Sequence, residues 1–361
     1  MPDFSSLCRE FENAREKQRP FVVYRKPGIR EVRLLVQKDT VVYRFNTEGE
    51  TGFIFSPFDV NQAGIFFPLE KCQFSTADYK ESDFVNFRPG KKDEIKITED
   101  FDRRERYLSL VKSCLDFIHR TGTRKIVLSR KEEVQISGLP VICILQSLLE
   151  NYPDAFVYIW YHPTVGMWAG ASPETLLSVE KDQFKTMALA GTKRIKDHEE
   201  LVWGQKEKEE QQIVTDYIKN ELGGLITKTA PAKTIKAGQV AHICTELEGT
   251  LTKGFGLMQL VNKLHPTPAV CGLPKEIARD FILKHEGYDR SFYTGFLGEI
   301  NLKSRGEKSA STHLFVNLRC MELFEDKAVL FVGGGITRNS NEEKEWEETV
   351  AKSSTMKAIL I

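Results

Sequence analysis

The chain has 361 residues, 41% of them hydrophobic, with 51 basic and 51 acidic side chains; it can bury a large core as one large or two ordinary domains, and its zero net charge argues against a nucleic-acid or membrane-surface partner. Seven cysteines, at 8, 72, 114, 143, 244, 271 and 320, show neither a C-x-x-C pair nor a zinc-ligand spacing and read as buried hydrophobes in a reducing compartment. The start, MPDFSSLCREFENAREK, lacks a basic segment followed by an apolar stretch, and no later apolar run approaches bilayer-spanning length, so a cytoplasmic location is expected.

Residues 20–55 carry short β-rich runs, FVVYR, VRLLVQ, VVYRF and FIF, spaced like an antiparallel meander. From Pro68 to Asp100 the pattern is weaker and more polar, the place for a boundary or an irregular excursion. Leu108, Val111, Leu115 and Ile118 recur at helical spacing and predict a helix over 104–120, followed directly by the apolar strand KIVLSR. A second helix is predicted over 139–151, with Pro140 in its first turn and Pro153 beyond its end. Strands follow at 155–161, 175–179 and 184–190, then a long charged helix over about 197–223 that ends at Gly223 and Gly224. Further strands are predicted near 293–302, 312–324 and 328–336, and a helix runs from Asn341. Many strands at hairpin spacing with few helices predict an α+β protein with large antiparallel sheets rather than a doubly wound parallel one.

Several residues can carry chemistry. Lys125 stands at the mouth of the apolar strand. Most lysines keep their heads in solvent; a buried one loses hydration, its pKa falls, and it can act as a base near neutral pH. In the long helix Glu207 and Glu210 share one face, and in the C-terminal helix Glu345, Glu348 and Lys352 do the same. Such spacing is ordinarily a solvated face, as in the run KEKEEQQ. If the two faces converge, their carboxylates suit Mg²⁺, which demands octahedral oxygen geometry and dehydrates reluctantly. There is no histidine cluster, which disfavours zinc or iron.

The run FVGGGI, from Phe331 to Ile336, either ends a strand in a tight turn or lets the backbone approach a ligand and offer N–H groups to an anion. In FVNLRCMEL, strand alternation places Arg319 on the side of Asn317. An arginine there is usually at the surface, but one facing a cleft holds a carboxylate bidentately. Glu174, after Pro173 and before TLLSV, is a turn glutamate or, if partly buried, an acid of raised pKa. LHPTPAVCG, from Leu264 to Gly272, is rigid, irregular backbone of the kind that lines pockets.

Taken together, KIVLSR, GASPETLL, ALAGTKR, the helix bearing Glu210, HICTELEG, LHPTPAVCG, YTGFLG, NLRC, FVGGGI and EWEETVAK stand in the order and spacing of the chorismate-utilising enzymes. Over roughly residues 104–361 the chain resembles the isochorismate synthases of that family. Residues 1–100 carry no signature; in the family the N-terminal part belongs to the same single domain, here 1–361, an α/β sandwich of two large antiparallel sheets with flanking helices.

The resemblance implies chorismate as substrate and Mg²⁺ as cofactor. Glu210 and Glu348 are implied as direct metal ligands, with Glu207 and Glu345 acting directly or through metal-bound water. Arg319 and the Gly333 backbone, helped by Lys352, would hold the enolpyruvyl carboxylate, while Gly191 and Thr192 line the ring-carboxylate side. His242, Thr245, Ala269, Val270, Tyr293, Leu318 and Phe331 fall in further motifs of the substrate site. Lys125 would activate water for attack at ring C2 and Glu174 would protonate the C4 hydroxyl as it leaves, giving isochorismate.

Relatives that use ammonia lack a lysine at the position of Lys125, so water is the implied nucleophile and no glutaminase subunit is expected. Salicylate synthases keep the lysine and also eliminate pyruvate; the His-Pro-Thr-Pro of LHPTPAVCG resembles the isochorismate synthases instead. The departures are Val270 and Cys271, where some relatives carry Leu and Ser, and Gly334, where Ala is common. The alternatives are a salicylate synthase or a non-catalytic chorismate-binding protein on the same fold. Isochorismate feeds menaquinone, siderophore and salicylate formation, and the motifs do not choose among these. A monomer is expected rather than an obligate oligomer.

Overall fold

A computed structural model describes residues 3–360 apart from 48, 81–82, 84–100, 137, 196–200, 238–239 and 304–308. Its strands form two large sheets in which, among the described residues, every pairing is antiparallel. The first sheet holds β1 (Phe21–Arg25), β2 (Glu31–Gln37), β5 (Cys72–Asp78), β6 (Lys125–Gln135), β7 (Phe156–His162), β8 (Gly166–Ser172), β14 (Gly272–Leu273), β17 (Cys320–Leu323) and β18 (Lys327–Thr337), in the order β14-β6-β18-β17-β8-β7-β1-β2-β5. The second holds β3 (Gly52–Ser56), β4 (Ile65–Pro68), β9 (Thr175–Glu180), β10 (Gln183–Arg194), β11 (Ile226–Thr229), β13 (Val240–Thr250), β15 (Phe296–Leu302) and β16 (Ser311–Val316), in the order β11-β13-β10-β9-β16-β15-β3-β4, with β12 (Lys233–Ala237) also on β13. Segments before residue 100 thus supply strands to both sheets.

The inner faces meet in an aromatic core that includes Tyr24, Phe55, Tyr158, Trp160, Phe292 and Phe315. Phe55 stacks on Phe292 at 4.1 Å and Phe156 on Phe315 at 4.3 Å between ring centroids. Flat rings bury much apolar area with few rotatable bonds, so they fill the space between two twisted sheets at low entropic cost. Helices α1 (Phe4–Glu16) and α3 (Val141–Asn151) cover the outer face of the first sheet through residues such as Phe11 and Leu148. Helices α4 (Gln205–Leu222) and α5 (Leu257–Leu264) cover the second through Val214, Ile218 and Leu260. Helices α2 (Phe101–Thr121) and α6 (Lys275–His285) pack around Ile126 and Leu128, and α7 (Glu342–Lys357) lies beside β18. Helix α7 starts at Asn341, whose side chain accepts from the Lys344 N–H.

The predicted antiparallel α+β architecture is present, and the differences have local causes. VVYRF makes no strand beyond one bridge between Tyr43 and Phe66. Its backbone is satisfied by nearby side chains instead: Asp39 Oδ1 accepts from the Val41 N–H at 3.1 Å, and Gln37 Nε2 donates to the Val41 carbonyl at 2.8 Å. The run 312–324 is two strands in different sheets, broken at Asn317 to Arg319. The charged helix begins only at Gln205, with Gly204 as its N-cap; residues 197–200 of that expectation lie outside the described residues, as do 81–82 and 84–100 of the expected boundary. Strand β8, the hairpins of β11 to β13 and helices α5 and α6 are absent from the sequence-based expectation; α5 is only eight residues long, although Leu257, Leu260, Val261 and Leu264 recur in it at helical spacing.

Among the described residues a buried polar cluster crosses between the sheets, as does the Ser172 hydroxyl of β8, which donates to the Val316 carbonyl of β16. Glu299 on β15 is fully buried; Tyr24 on β1 donates to its Oε1 at 2.7 Å, Arg33 on β2 donates to the same oxygen, and Lys26 Nζ lies 3.0 Å from Oε2. Removing the carboxylate takes a buried anion away from two buried cations, of which Arg33 keeps Glu31 at 2.6 Å. Glu299→Ala is therefore expected to lower unfolding free energy by about 3–5 kcal/mol in urea titrations, and a loss below about 1 kcal/mol contradicts the cross-sheet role.

Candidate active site

Lys125 opens β6, pairing with Thr337 of β18 on one side and Leu273 of β14 on the other, and is 2% exposed. Its side chain crosses the bare backbone of the glycine triplet. A Cβ on Gly335 would lie 2.6 Å from Lys125 Cε, 3.2 Å from its Nζ and 3.4 Å from Glu210 Oε1. Glycine is needed there because a methyl would take the space of the lysine itself. Burial pushes the Lys125 pKa down, with Lys352 adding to the effect and the carboxylates of Glu210, Glu348 and Glu174 opposing it.

Glu174 follows Pro173 in the link between β8 and β9 and is 3% exposed. Its backbone is pinned, the N–H to Ser172 Oγ at 3.3 Å and the carbonyl to the Val316 N–H at 3.0 Å. Burial raises the carboxyl pKa to about 8, against the lowering influence of Lys125. One cavity therefore holds a lysine pushed down and a glutamic acid pushed up, the pattern that separates a base from an acid near neutral pH.

Arg319 sits at a positive φ of 47° in the break between β16 and β17. The strand alternation expected for it does not apply, and a turn aims the guanidinium into the cavity instead. Such backbone in a non-glycine residue costs energy and is kept only where the surroundings over-determine it. Arg319 Nη2 lies 3.0 Å from His242 Nε2, while Nη1 is buried without a hydrogen-bond partner. Burial, then Arg319 and Lys352, lower the His242 pKa to about 3, so the ring is neutral. A neutral ring that accepts at Nε2 carries its proton on Nδ1, which faces Thr192 Oγ1 at 3.2 Å. Lys352 donates to the Gly333 carbonyl at 2.9 Å and pairs with Glu348 at 2.7 Å.

Four glutamates were expected around a metal. Glu210 and Glu348 line the cavity. Burial raises the Glu210 pKa, offset by Lys125; burial also opposes ionisation of Glu348, but Lys352, Lys206 and Lys125 outweigh it and hold that group below the usual carboxylate range. Glu345 is 1% exposed behind them, its Oε1 paired with Lys206 at 2.7 Å and its Oε2 buried without a partner. Gly334 leaves room beside them, since a Cβ there would meet Glu345 Oε2 at 3.4 Å and Glu348 Oε1 at 3.7 Å. Glu207 turns away, with Oε2 against Gly204 at the start of α4, where the helix dipole favours an anion.

Among the described residues no three His, Cys, Asp or Glu side chains are gathered to hold an ion as they stand; lysines neutralise two of the carboxylates. The donor set nonetheless fits a hard divalent cation, because it consists of carboxylate oxygens alone, one of them buried and unpartnered.

The cavity also brings together Gly191, Thr192, His242, Ala269, Val270, Tyr293, Leu318, Phe331 and Gly333, as the motifs imply. Gly191 has φ +71°, and its missing Cβ lets the α4 backbone at Glu207 approach. Thr245 does not line the cavity. Three positions from His242 along β13 it falls on the opposite face, where it accepts from Gln211 Nε2 of α4 at 2.6 Å. Lys206 and Met356 carry no motif and escape the sequence reading. Lys206 is four residues before Glu210 and Met356 four after Lys352, so helical spacing was the available signal.

A buried guanidinium with Nη1 unpartnered and only a neutral ring on Nη2 costs stability and repays it when an anion arrives. Arg319→Met is expected to leave the free protein as stable as the parent in thermal unfolding while abolishing stabilisation by small dicarboxylates; a destabilisation above about 1 kcal/mol would show that the guanidinium is structural.

Comparison with known proteins places this arrangement. The sequence profile described as chorismate binding enzyme matches residues 70–361. The vibriobactin-specific isochorismate synthase of Vibrio cholerae serotype O1 is 31% identical over 270 residues, covering 70% of this chain and 66% of that protein. The isochorismate synthase EntC of Escherichia coli K12 is 26% identical over 313 residues, covering 83% of this chain and 78% of EntC. Among solved structures, DhbC from Bacillus anthracis superposes with TM-score 0.76 at 26% identity, over 97% of this chain and 99% of that one. The menaquinone-specific isochorismate synthase MenF from Escherichia coli superposes with TM-score 0.77 over 96% and 90%, and at 20% identity it speaks to the fold. A match of this extent to the family profile, on this fold and around this cavity, means that the chain belongs to the chorismate binding enzyme family.

Proposed function

We propose that the protein is an isochorismate synthase, converting chorismate to isochorismate by adding water at ring C2 and releasing the C4 hydroxyl. The observation that carries the reading is the opposite displacement of two buried groups in one cavity, Lys125 downward and Glu174 upward to about 8. The isochorismate synthases among its relatives support the same reading.

Chorismate carries two carboxylates. Arg319, with Nη1 unpaired, and Lys352, beside the Gly333 carbonyl, are suited to its enolpyruvyl carboxylate. Glu210 and Glu348, with Glu345 behind them, are suited to hold Mg²⁺, which when bound supplies positive charge against the ring carboxylate. Lys125 in its neutral form takes a proton from water as the oxygen bonds to C2. The double bonds shift, the C4 oxygen leaves, and protonated Glu174 delivers the proton that makes it water. One water is gained and one lost, so the net reaction is an isomerisation. Nothing in the sequence of steps needs ammonia. Pro173, Leu189, Val270 and Phe331 supply apolar walls that keep other water out.

Incubation of the purified protein with chorismate and Mg²⁺, with products separated by chromatography, is expected to give isochorismate. Salicylate with pyruvate would instead identify a salicylate synthase, and absence of turnover a binding protein. EDTA should stop the reaction, and activity surviving it would remove the metal from the proposal. Lys125→Ala is expected to lose water addition by about a hundredfold or more while keeping Mg²⁺-dependent chorismate binding; unchanged turnover would remove Lys125 from the base role.

The pH dependence follows from the two shifts. The base must be neutral, so the rate rises as pH passes upward through the lowered Lys125 pKa; the acid must be protonated, so it falls as pH passes about 8. A kcat/KM profile that keeps rising beyond pH 9, about one unit above the Glu174 value, would exclude Glu174 as the acid.

A further inference from the structure

Behind the cavity wall, and lining none of it, lies a buried pair outside every sequence motif. Arg290 is 2% exposed and Glu286 9%. They are joined by Arg290 Nε to Glu286 Oε2 at 2.7 Å and Nη2 to Oε1 at 2.5 Å. What distinguishes the pair is where the remaining hydrogen bonds go. Arg290 Nη2 donates to the Val127 carbonyl on β6 at 2.7 Å, and Nη1 donates to the Val270 carbonyl at 3.0 Å and to Thr294 Oγ1 at 3.2 Å. Glu286 Oε1 accepts from the Ser129 N–H at 2.7 Å, and both its oxygens lie 3.0 Å from Ser129 Oγ.

Val127, Val270 and Thr294 all line the cavity; β14 and the Val127 N–H, which donates to the Cys271 carbonyl at 2.8 Å, tie β6 to the segment after Val270, whereas the Thr294 segment is outside that ladder and is joined to both by the guanidinium. Val127 is two residues from Lys125, so its side chain shares the lysine's face of β6. Thr294 has φ +60°, and its N–H donates to the Asn317 carbonyl at 2.9 Å, two residues before Arg319. Ser291, beside Arg290, also has a positive φ, of 50°. The guanidinium ties irregular, strained backbone to the strand that opens with the lysine. It also rests on the Phe58 ring at 4.6 Å, which leaves it little freedom to swing.

We propose that Arg290 and Glu286 are positioning residues for the reaction: together they fix the register of β6 against the Val270 and Thr294 segments and thereby set where Lys125 stands relative to the bound ring. A purely structural ion pair could make the same number of bonds within one element; here six contacts reach the walls of the cavity or the strand that carries Lys125. The proposal rests on the isochorismate synthase reading for its catalytic half only, because the clamp itself is a statement about local motion.

The test uses the full-length protein and two variants. Arg290→Lys keeps the charge but cannot reach three acceptors at once, and Ser129→Ala removes one hydroxyl while leaving the pair intact. Hydrogen–deuterium exchange is expected to rise in peptides covering 125–131, 267–271 and 292–295 in both variants, with no change in β7 or α3. With chorismate, kcat should fall about tenfold or more, KM should stay within about threefold, and the acid limb of the pH profile should move by about half a unit. A fall in activity that follows the folded fraction, with the limb unmoved, is what a structural role produces and overturns the proposal. Unchanged exchange in the three segments, or a rise spread over the whole chain, also overturns it. If Arg290→Lys does not fold, Ser129→Ala carries both readouts. If the parent makes no isochorismate, the functional reading fails and the exchange pattern still decides the clamp.

Discussion

An ammonium held out of water is the constraint on which the rest of this site depends. Lys125 is almost wholly buried, and a buried charge survives only by losing its proton or by keeping opposite charges close. Both responses are visible. The pKa is lowered, and carboxylates from α4, α7 and the β8–β9 link stand around it. The space for the side chain comes from Gly335, and the lysine and the glycine triplet are consequently one feature seen from two strands. A side chain on β18 at that position would push the lysine out, and the electrostatic arrangement would go with it.

The sandwich makes this possible by filling most of the inter-sheet space with rings and leaving one end for polar groups. Strands β6 and β18 bring Lys125 and the glycines from the first sheet, β10 and β13 bring Thr192 and His242 from the second, and α4 and α7 bring glutamates from either side. Rigidity at that end does not come from sheet ladders alone. Arg319 and Thr294 sit in strained backbone, Glu174 is pinned at both its N–H and its carbonyl, and the Arg290–Glu286 pair spans the gaps between segments. Strain concentrated at the cavity and absorbed by a well-packed aromatic core is how folds commonly reconcile a demanding site with overall stability.

The polar groups are also graded in charge state. His242 is neutral, Arg319 is a cation with one nitrogen unmatched, Glu174 is protonated near neutral pH, and Glu348 is ionised through Lys352. With Glu174 uncharged and Lys125 neutral, Arg319 and Lys352 balance Glu210 and Glu348, so the protein's own charges leave the second carboxylate of a dianionic guest to a bound cation. Lys206 on Glu345 and Lys352 on Glu348 show how the acidic cluster is neutralised by the protein's own cations. The unpartnered Glu345 Oε2 is the place where that neutralisation is incomplete.

Residue types, their order and their local periodicities are legible in the amino-acid sequence by itself. Helix α2 follows from apolar spacing every three to four residues, α3 from the prolines that bound it, and the strand run of β6 from four consecutive apolar or small positions. The motifs suffice to name the glutamates, Lys125, Glu174 and Arg319, because those depend on short stretches of chain. The direction of Arg319 is not legible, because a left-handed residue breaks the strand and cancels its alternation. Thr245 is misplaced for the opposite reason: the strand there is regular, and a three-residue step reverses its face. Glu207 shares a helix face with Glu210 yet turns to Gly204, and Glu345 stands behind Glu348 with one oxygen on Lys206, since spacing along a helix says nothing about what packs across from it. Convergence of residues 125, 174, 319 and 348, the burial that shifts their proton affinities, and the clamp at Arg290 come from contacts between segments far apart in the chain. Local propensity carries no record of such contacts; they exist only once two sheets have closed on each other and excluded water from the space between.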